Sequence, residues 1–315
     1  MKGFGLPSGV VIRDVTLREG LDVPGVEKRL KPASRLRLAR EIYALGIREF
    51  DIVHPGRVNR QSIWLANSLK ELHGKRIVVH GAAYAHNDKF EREIDLMGMV
   101  DEIDLVMPVN SARPPHSQKE KIDCAVRGLS FLQSIGKRGG VGFANASQCD
   151  RAFLLKIVRS VVKSGAHKII LYDSVGSYDP LESYELVRDV KDAAPGTPIL
   201  YHCHNDLGLA VANSLLAVYA GAHYVDASMN GLGDRAGNAS LEQLATIFHL
   251  KGVKTGIDLS KLRRVSDITE KLCGVKKAIN HPITGDKRII HSHVSPKHKP
   301  DRKSFEILPK ELTGR

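Results

Sequence analysis

A chain of 315 residues, 42% hydrophobic, 26% charged and 5% aromatic, has enough aliphatic material for a sizeable buried core and is too apolar to be disordered throughout. Its four cysteines, Cys124, Cys149, Cys203 and Cys273, lie far apart with no CxxC pair, which argues against a disulfide framework or a thiolate zinc knot and favours a reducing, cytoplasmic setting. The formal charge of +12 is uneven: from Lys251 onward 16 Lys and Arg face 7 Asp and Glu, so most of the excess sits in the last fifth of the chain.

The N-terminus, MKGFGLPSGVVIRD, lacks an apolar stretch of signal-peptide length, and no run of about 18 apolar residues follows, so no membrane crossing is expected. In chain order, the β-branched runs VVIRDV, REFDIV, RIVVHGAA, EIDLVMPV, GVGFAN, KIILYD, PILYHCH and AHYVDAS read as strands. Helical patterns alternate with them, among them ASRLRLAREIYALG, DRAFLLKIVRSVVKSG and SLEQLATIFHLKG, several ending on the Gly that a helix C-terminus favours. Eight β–α units at a spacing of about 30 residues predict an α/β protein with a (β/α)8 TIM barrel over residues 1–252. No Gly-rich dinucleotide fingerprint follows the first strand, which removes the main sign of a doubly wound sheet. Beyond residue 252 the pattern becomes one helix, DLSKLRRVSDITEKLCG, and a His-, Pro- and Lys-rich loop, a short C-terminal appendage over 253–315. The tail KHKPDRK carries no interleaved aromatics for stacking bases, so solvent or an anionic small molecule such as coenzyme A is expected there in preference to nucleic acid.

Chemistry in this fold collects at the C-terminal ends of the strands, and the polar clusters RDVTLREG, DIVHPG, YDSVG, HCHND and NGLGDRAGN all fall there. Within YHCHNDLGLA, His202 and His204 stand at i and i+2 of a strand and so share a face. Such a pair begins a divalent-metal site to be completed by carboxylate or amide oxygens from other strands; the alternative is two hydrogen-bonded histidines at a strand end.

With DVTLREG (Asp14, Arg18, Glu19) after strand one and GLGDRAGNASLE (Asn238) after strand eight, the sequence resembles the DRE-TIM metallolyases, which are HMGL-like and pyruvate carboxyltransferase-like. These are metal-dependent synthases and lyases that share an Asp-Arg-Glu motif on a TIM barrel. The stretch HCHNDLGLAVANSLLAVYAGAHYVDASMNGLGDRAGNASLEQL and the terminal FEILPKELTGR are most similar to isopropylmalate, homocitrate and citramalate synthases. The 3-hydroxy-3-methylglutaryl-CoA (HMG-CoA) lyases carry a different, cysteine-bearing glycine loop in place of GLGDRAGN. The resemblance implies that His202 and His204 are metal ligands, that Asn238 lies at or beside the metal, and that Arg18 stabilises enolate charge. Glu19 stands where the family has an aspartate ligand, and Asp51 where it has a glutamate. Other departures are Asp22 for a glutamine, Tyr84 for an arginine on strand three, and Ala146 and Ser147 for an acidic pair after strand five. Tyr84, Asp173, Ser174 and Arg235 are the expected substrate-binding residues, Ser174 keeping a hydroxyl where a threonine is usual. Of the post-barrel histidines, His293 is the best match to one that assists proton transfer in the synthases, and His291 the next.

The implied function is a Claisen-type condensation of an acyl-CoA with a 2-oxo acid on a divalent metal (Mg, Mn, Zn or Co). The alternatives are cleavage of a 3-hydroxyacyl-CoA or a 4-hydroxy-2-oxo acid, and a metal-free, non-catalytic barrel. A homodimer or larger assembly is expected, and amino-acid inhibition through a C-terminal regulatory domain is not. Glu19 and Asp51 are expected to compensate for each other's length, with Asp14 the competing metal ligand.

Overall fold

The computed structural model describes residues 5–287 and 310–314, so His291 and His293 lie outside the described residues. Eight parallel strands close into a barrel in chain order: β1 (Val11–Asp14), β2 (Glu49–Val53), β3 (Val78–Tyr84), β4 (Glu102–Pro108), β5 (Arg138–Ala144), β6 (Lys168–Asp173), β7 (Ile199–Cys203) and β8 (Tyr224–Ala227). Each is followed by its helix: α1 (Pro32–Leu45), α2 (Arg60–His73), α3 (Phe90–Leu96), α4 (Gln118–Ser134), α5 (Arg151–Lys163), α6 (Pro180–Ala193), α7 (Ala210–Ala220) and α8 (Leu241–Leu250). This is the TIM barrel that the alternation of β-branched runs and amphipathic stretches predicts.

Local chemistry starts the helices where the sequence signals them. Asn59, Ser117 and Asp179 each accept backbone N–H bonds at a helix start in reciprocal capping boxes, and Ser240 caps α8 through the N–H of Gln243. Apolar side chains of the outer strand faces, such as Phe50 and Leu171, pack with helix residues such as Leu38, Ile42, Leu154 and Val187 in one continuous core between sheet and helices. The barrel interior is smaller and holds Ala82, Val106, Ile170, Tyr172 and Leu200. Its N-terminal end is closed by charge: Lys168 Nζ lies 3.1 Å from Glu102, and His80 Nε2 lies 2.8 Å from Glu49.

A further helix, α9 (Leu262–Cys273), follows the barrel and buries Leu262, Val265 and Thr269. Arg264 pairs with Glu41 of α1 at 2.7 Å, and Lys261 Nζ donates to the Ala44 carbonyl at 3.0 Å, so this helix rests on α1. Among the described residues no helix is long and apolar enough to cross a membrane.

Candidate metal centre

On β1 successive side chains face opposite ways, and this separates two charged neighbours. Arg13 points along the barrel axis, where Nε and Nη2 donate to the two oxygens of Asp226 on β8 at 2.7 and 2.9 Å. It also pairs with Asp104 of β4 and lies 3.5 Å from Asp51 of β2. Asp14 faces away from that axis, its two oxygens accepting the Thr16 N–H at 3.2 Å and the Thr16 hydroxyl at 2.6 Å. Burial pushes the Asp14 carboxyl up to about 7, against the pull of those two bonds.

After β1 the chain turns tightly, Glu19 N donating to Val15 O at 2.8 Å, and the short 3-10 turn Glu19–Asp22 begins. This folds Arg18 and Glu19 back over the barrel mouth. Arg18 Nε lies 2.8 Å from Asp51 Oδ2, and Nη1 donates to Glu19 Oε1 at 2.5 Å, so one guanidinium bridges the two carboxylates. Burial raises Glu19, but the positive charge of Arg18, followed by the neighbouring His202 and His204 rings, overcomes it and holds the carboxyl at about 2. Burial also dominates at Asp51 and raises it, with Arg18 and Arg13 pulling it back.

The paired histidines straddle the end of β7, His202 within the strand and His204 just after it. His202 Nδ1 lies 2.8 Å from Asp226 Oδ2, a carboxylate contact that fixes the tautomer and turns Nε2 toward the mouth. The two Nε2 atoms of His202 and His204 lie 3.4 Å apart, and Glu19 Oε2 is 3.8 Å from His204 Nε2. Glu19, His202 and His204 are all buried, with ligand-type atoms within 4.8 Å of one another. Burial, and next the neighbouring His202, lowers His204 to about 4, so it is neutral and able to coordinate at neutral pH. Asp14 is not in this group.

Asn238 reaches the same place by a glycine-dependent route. Gly237 has φ +91° and its Cα hydrogen sits where a Cβ would be 2.0 Å from the Gly231 carbonyl, while a Cβ on Gly233 would be 1.9 Å from Asn238 Oδ1. The loop can therefore press Asn238 against β7, where its Nδ2 lies 3.2 Å from His202 Nε2.

Several atoms here are buried without a hydrogen-bond partner: Arg18 Nη2, His204 Nδ1, Asn238 Oδ1 and Asp51 Oδ1. Orphaned polar atoms are costly, and a cluster of them marks a place for a polar ligand. Charge points the same way. The two guanidinium groups of Arg13 and Arg18 face four buried carboxyl groups, Glu19, Asp51, Asp104 and Asp226, a surplus of acidic groups that a divalent cation would balance. The donor set of two imidazoles, a carboxylate and a nearby amide suits a borderline or hard divalent ion.

These groups border a cavity of about 120 Å³, walled by Tyr84 from β3, Tyr172 from β6 and Ser174 just after it, the apolar Ala82, Val106 and Ala144, and His54 from the β2 end. Ser174 Oγ accepts the Asn145 N–H at 2.9 Å. Tyr172 stacks edge-on to His202 with ring centroids 5.0 Å apart. Asp173 and Arg235 do not line the cavity. Asp173 accepts from the Ser147 hydroxyl at 2.6 Å and from the N–H groups of Ser177 and Tyr178 at 3.2 Å, holding the β6 loop. Arg235 pairs with Asp206 at 2.7 Å and donates to Ser174 O at 2.7 Å, tying the glycine loop to β7 and β6. A larger cleft of about 700 Å³ opens at the opposite end, by Lys191, His223 and Lys254, and contains none of the ligand cluster.

Sequence reasoning missed Arg13, Asp104 and Asp226, the buried charges that stand behind His202 and Asp51. Their signal was a charged residue inside each of the apolar runs VVIRDV, EIDLVMPV and AHYVDAS. It also gave no role to Tyr172 or His54.

The HMGL-like family model matches residues 9–269, the barrel and most of α9. The chain is 31% identical to the 2-isopropylmalate synthase of Methanocaldococcus jannaschii over 324 aligned positions, covering 100% of this chain and 61% of that protein. It is 31% identical to the homocitrate synthase of Sulfolobus acidocaldarius, covering 97% of this chain and 66% of that one. Against a probable 2-isopropylmalate synthase of Archaeoglobus fulgidus it spans 55% of the relative's length. Among solved structures, the HMG-CoA lyase from Brucella melitensis superposes with a TM-score of 0.71 at 18% identity, over 85% of this chain and 100% of that one. A barrel with these ends, matched by the family model across most of its length, belongs to the HMGL-like, DRE-TIM family of synthases and lyases.

Proposed function

We propose that this chain joins an acyl-CoA to a 2-oxo acid, in the manner of the 2-isopropylmalate, citramalate and homocitrate synthases it is similar to. The observation that carries the reading is the buried Glu19–His202–His204 cluster facing the unpartnered Nη2 of Arg18 at the barrel mouth. In this reading Glu19, His202 and His204 hold a divalent ion, and a flip of the Asn238 amide turns its orphaned Oδ1 toward it. Mg, Mn, Zn and Co all suit such a mixed nitrogen and oxygen set. When bound, the ion supplies Lewis acidity to the keto group and a template for the adjoining carboxylate.

The remaining work falls to the side chains. Arg18, held from two sides by Glu19 and Asp51, offers Nη2 to the substrate oxygen on which negative charge develops, and burial strengthens that contact. Asp226 fixes the ring of His202, and Arg13 fixes Asp226. Ser174 has its hydroxyl proton free for the substrate carboxylate while its oxygen accepts from Asn145. Tyr84 and Tyr172 limit the room and exclude water. Residues 1–252 are the catalytic barrel in this account, and 253–315 a segment it carries, with His293 as a further proton-transfer group. Coenzyme A and self-association belong to the same proposal.

The test is to incubate the metal-loaded protein with acetyl-CoA and a panel of 2-oxo acids and to follow free thiol. Thiol release that depends on one 2-oxo acid and is abolished in His202→Ala is the expected result. Silence there, with cleavage of a 3-hydroxyacyl-CoA or a 4-hydroxy-2-oxo acid in parallel arms, would reverse the direction of the reaction. Silence in all arms would refute the reading.

A further inference from the structure

Asp22, one of the departures from the synthase pattern, meets in space a histidine that lies far from it in sequence. Asp22 ends the turn after β1, and His54 follows β2; their side chains approach to 3.7 Å between Asp22 Oδ2 and His54 Nε2. Arg57 completes the group by donating to Asp22 Oδ1 at 2.5 Å. The His54 ring forms part of the wall of the reactive cavity, and with Asp22, Arg57 and Arg18 it also lines a small pocket of about 30 Å³ beside it. A histidine at the edge of a cavity can serve as a general base, and a carboxylate beside it stabilises the protonated ring.

The hydrogen bonds assign the ring's protons. His54 Nδ1 lies 2.7 Å from the Pro55 carbonyl, which can only accept, so Nδ1 carries the hydrogen. Arg57 Nε, 3.4 Å from the same nitrogen, is the longer contact. Nε2 is then the basic nitrogen, with no hydrogen bond of its own and the Asp22 carboxylate placed to stabilise the imidazolium that forms. Burial, and then the positive charge of Arg18 and Arg57, lowers the ring from its ordinary value, against Asp22, so it is neutral before the reaction. Ala146 and Ser147, which follow β5, bring no carboxylate to the cavity. His54 and Asp22 supply an acid–base pair from a different side of the same cavity.

We propose that His54, oriented by the Pro55 carbonyl with Asp22 beside its basic nitrogen, is a proton-transfer residue of this site, taking a proton from the α-carbon of the acyl thioester and returning it to the product hydroxyl. The inference rests on the condensing reading above. In the first step the acyl C–H bond breaks, the proton goes to Nε2, and the electron pair enters the enolate. The enolate carbon then bonds to the keto carbon of the 2-oxo acid, whose π pair moves to oxygen. That oxygen takes the proton from Nε2, and the imidazole returns to neutral. Water hydrolyses the thioester afterwards, freeing the thiol.

The test compares wild type with His54→Asn, His54→Ala and Asp22→Asn in the thiol assay, with metal content measured on each. His54→Asn is expected to lose about 10²- to 10⁴-fold in kcat with metal content unchanged, and added imidazole to restore part of the rate to His54→Ala. Asp22→Asn is expected to lose about tenfold in kcat with KM unmoved, a split that loss of packing alone would not give. A His54→Asn variant with kcat within about threefold of an active wild type would overturn the proposal and leave the condensing reading intact. A wild type that frees no thiol with any 2-oxo acid would overturn the reading itself. A second measurement needs no turnover: nitrogen NMR of histidine-labelled protein, assigned by the signals lost in His54→Asn, is expected to show the neutral Nδ1–H tautomer. An Nε2–H tautomer would overturn the assignment of the base.

Discussion

Exchanging the lengths of the two carboxylates that grip Arg18 is the sharpest perturbation of this centre. Glu19 Oε1 lies 2.5 Å and Asp51 Oδ2 2.8 Å from nitrogens of the same guanidinium. Glu19→Asp withdraws its carboxylate by on the order of 1.5 Å, one carbon–carbon bond, whereas a metal–ligand distance tolerates only about 0.2 Å. The single change should therefore weaken metal binding by at least about tenfold, close to 1.4 kcal/mol. Asp51→Glu pushes a longer side chain into Arg18 from the other side and should also lower both activity and metal affinity. Because both act through one guanidinium, the double variant should recover part of the loss, with a coupling of about 1 to 3 kcal/mol. Chelator competition on all four proteins, read alongside thiol release, closes the cycle. Losses that add to within about 0.5 kcal/mol would refute the shared role of Arg18.

Two further outcomes follow from the buried charges. Asp226→Asn removes the carboxylate 2.8 Å from His202 Nδ1 and should lower metal affinity by about 10- to 100-fold though no ligand is changed; unaltered affinity in the chelator assay would contradict the account. Asp14, with its carboxyl raised from 3.8 to about 7, keeps a proton that the unfolded chain releases, so the wild type loses stability as pH climbs through that window. Relative to Asp14→Asn, urea unfolding should show a deficit growing by about 4 kcal/mol between about pH 4 and about pH 8, with metal content equal in the two proteins. A difference that stays flat with pH would contradict this.

The barrel was legible because its signals repeat. KIILYD, for instance, is strand β6 from end to end, and the flanking runs are displaced by only a residue or two. The HxH pair was legible because strand periodicity alone puts His202 and His204 on one face. What could not be read was which carboxylate meets them. Asp14 and Glu19 are five residues apart on one connection, and only the tight turn at Val15 sends one outward and folds the other over the mouth. Nor could spacing tell that Asp173 and Arg235 hold loops together while His54, 35 residues after Glu19, borders the cavity. Those outcomes depend on side-chain partners brought together by barrel closure.

The central claim is that Glu19, His202 and His204 bind one divalent ion at the mouth of the barrel. Anomalous diffraction from crystals grown with Mn or Co tests it directly. The account predicts one strong peak about 2.0 to 2.3 Å from Nε2 of both histidines and from a Glu19 oxygen, with Asn238 beside it. A peak on Asp14, or none within reach of the two histidines, would contradict it.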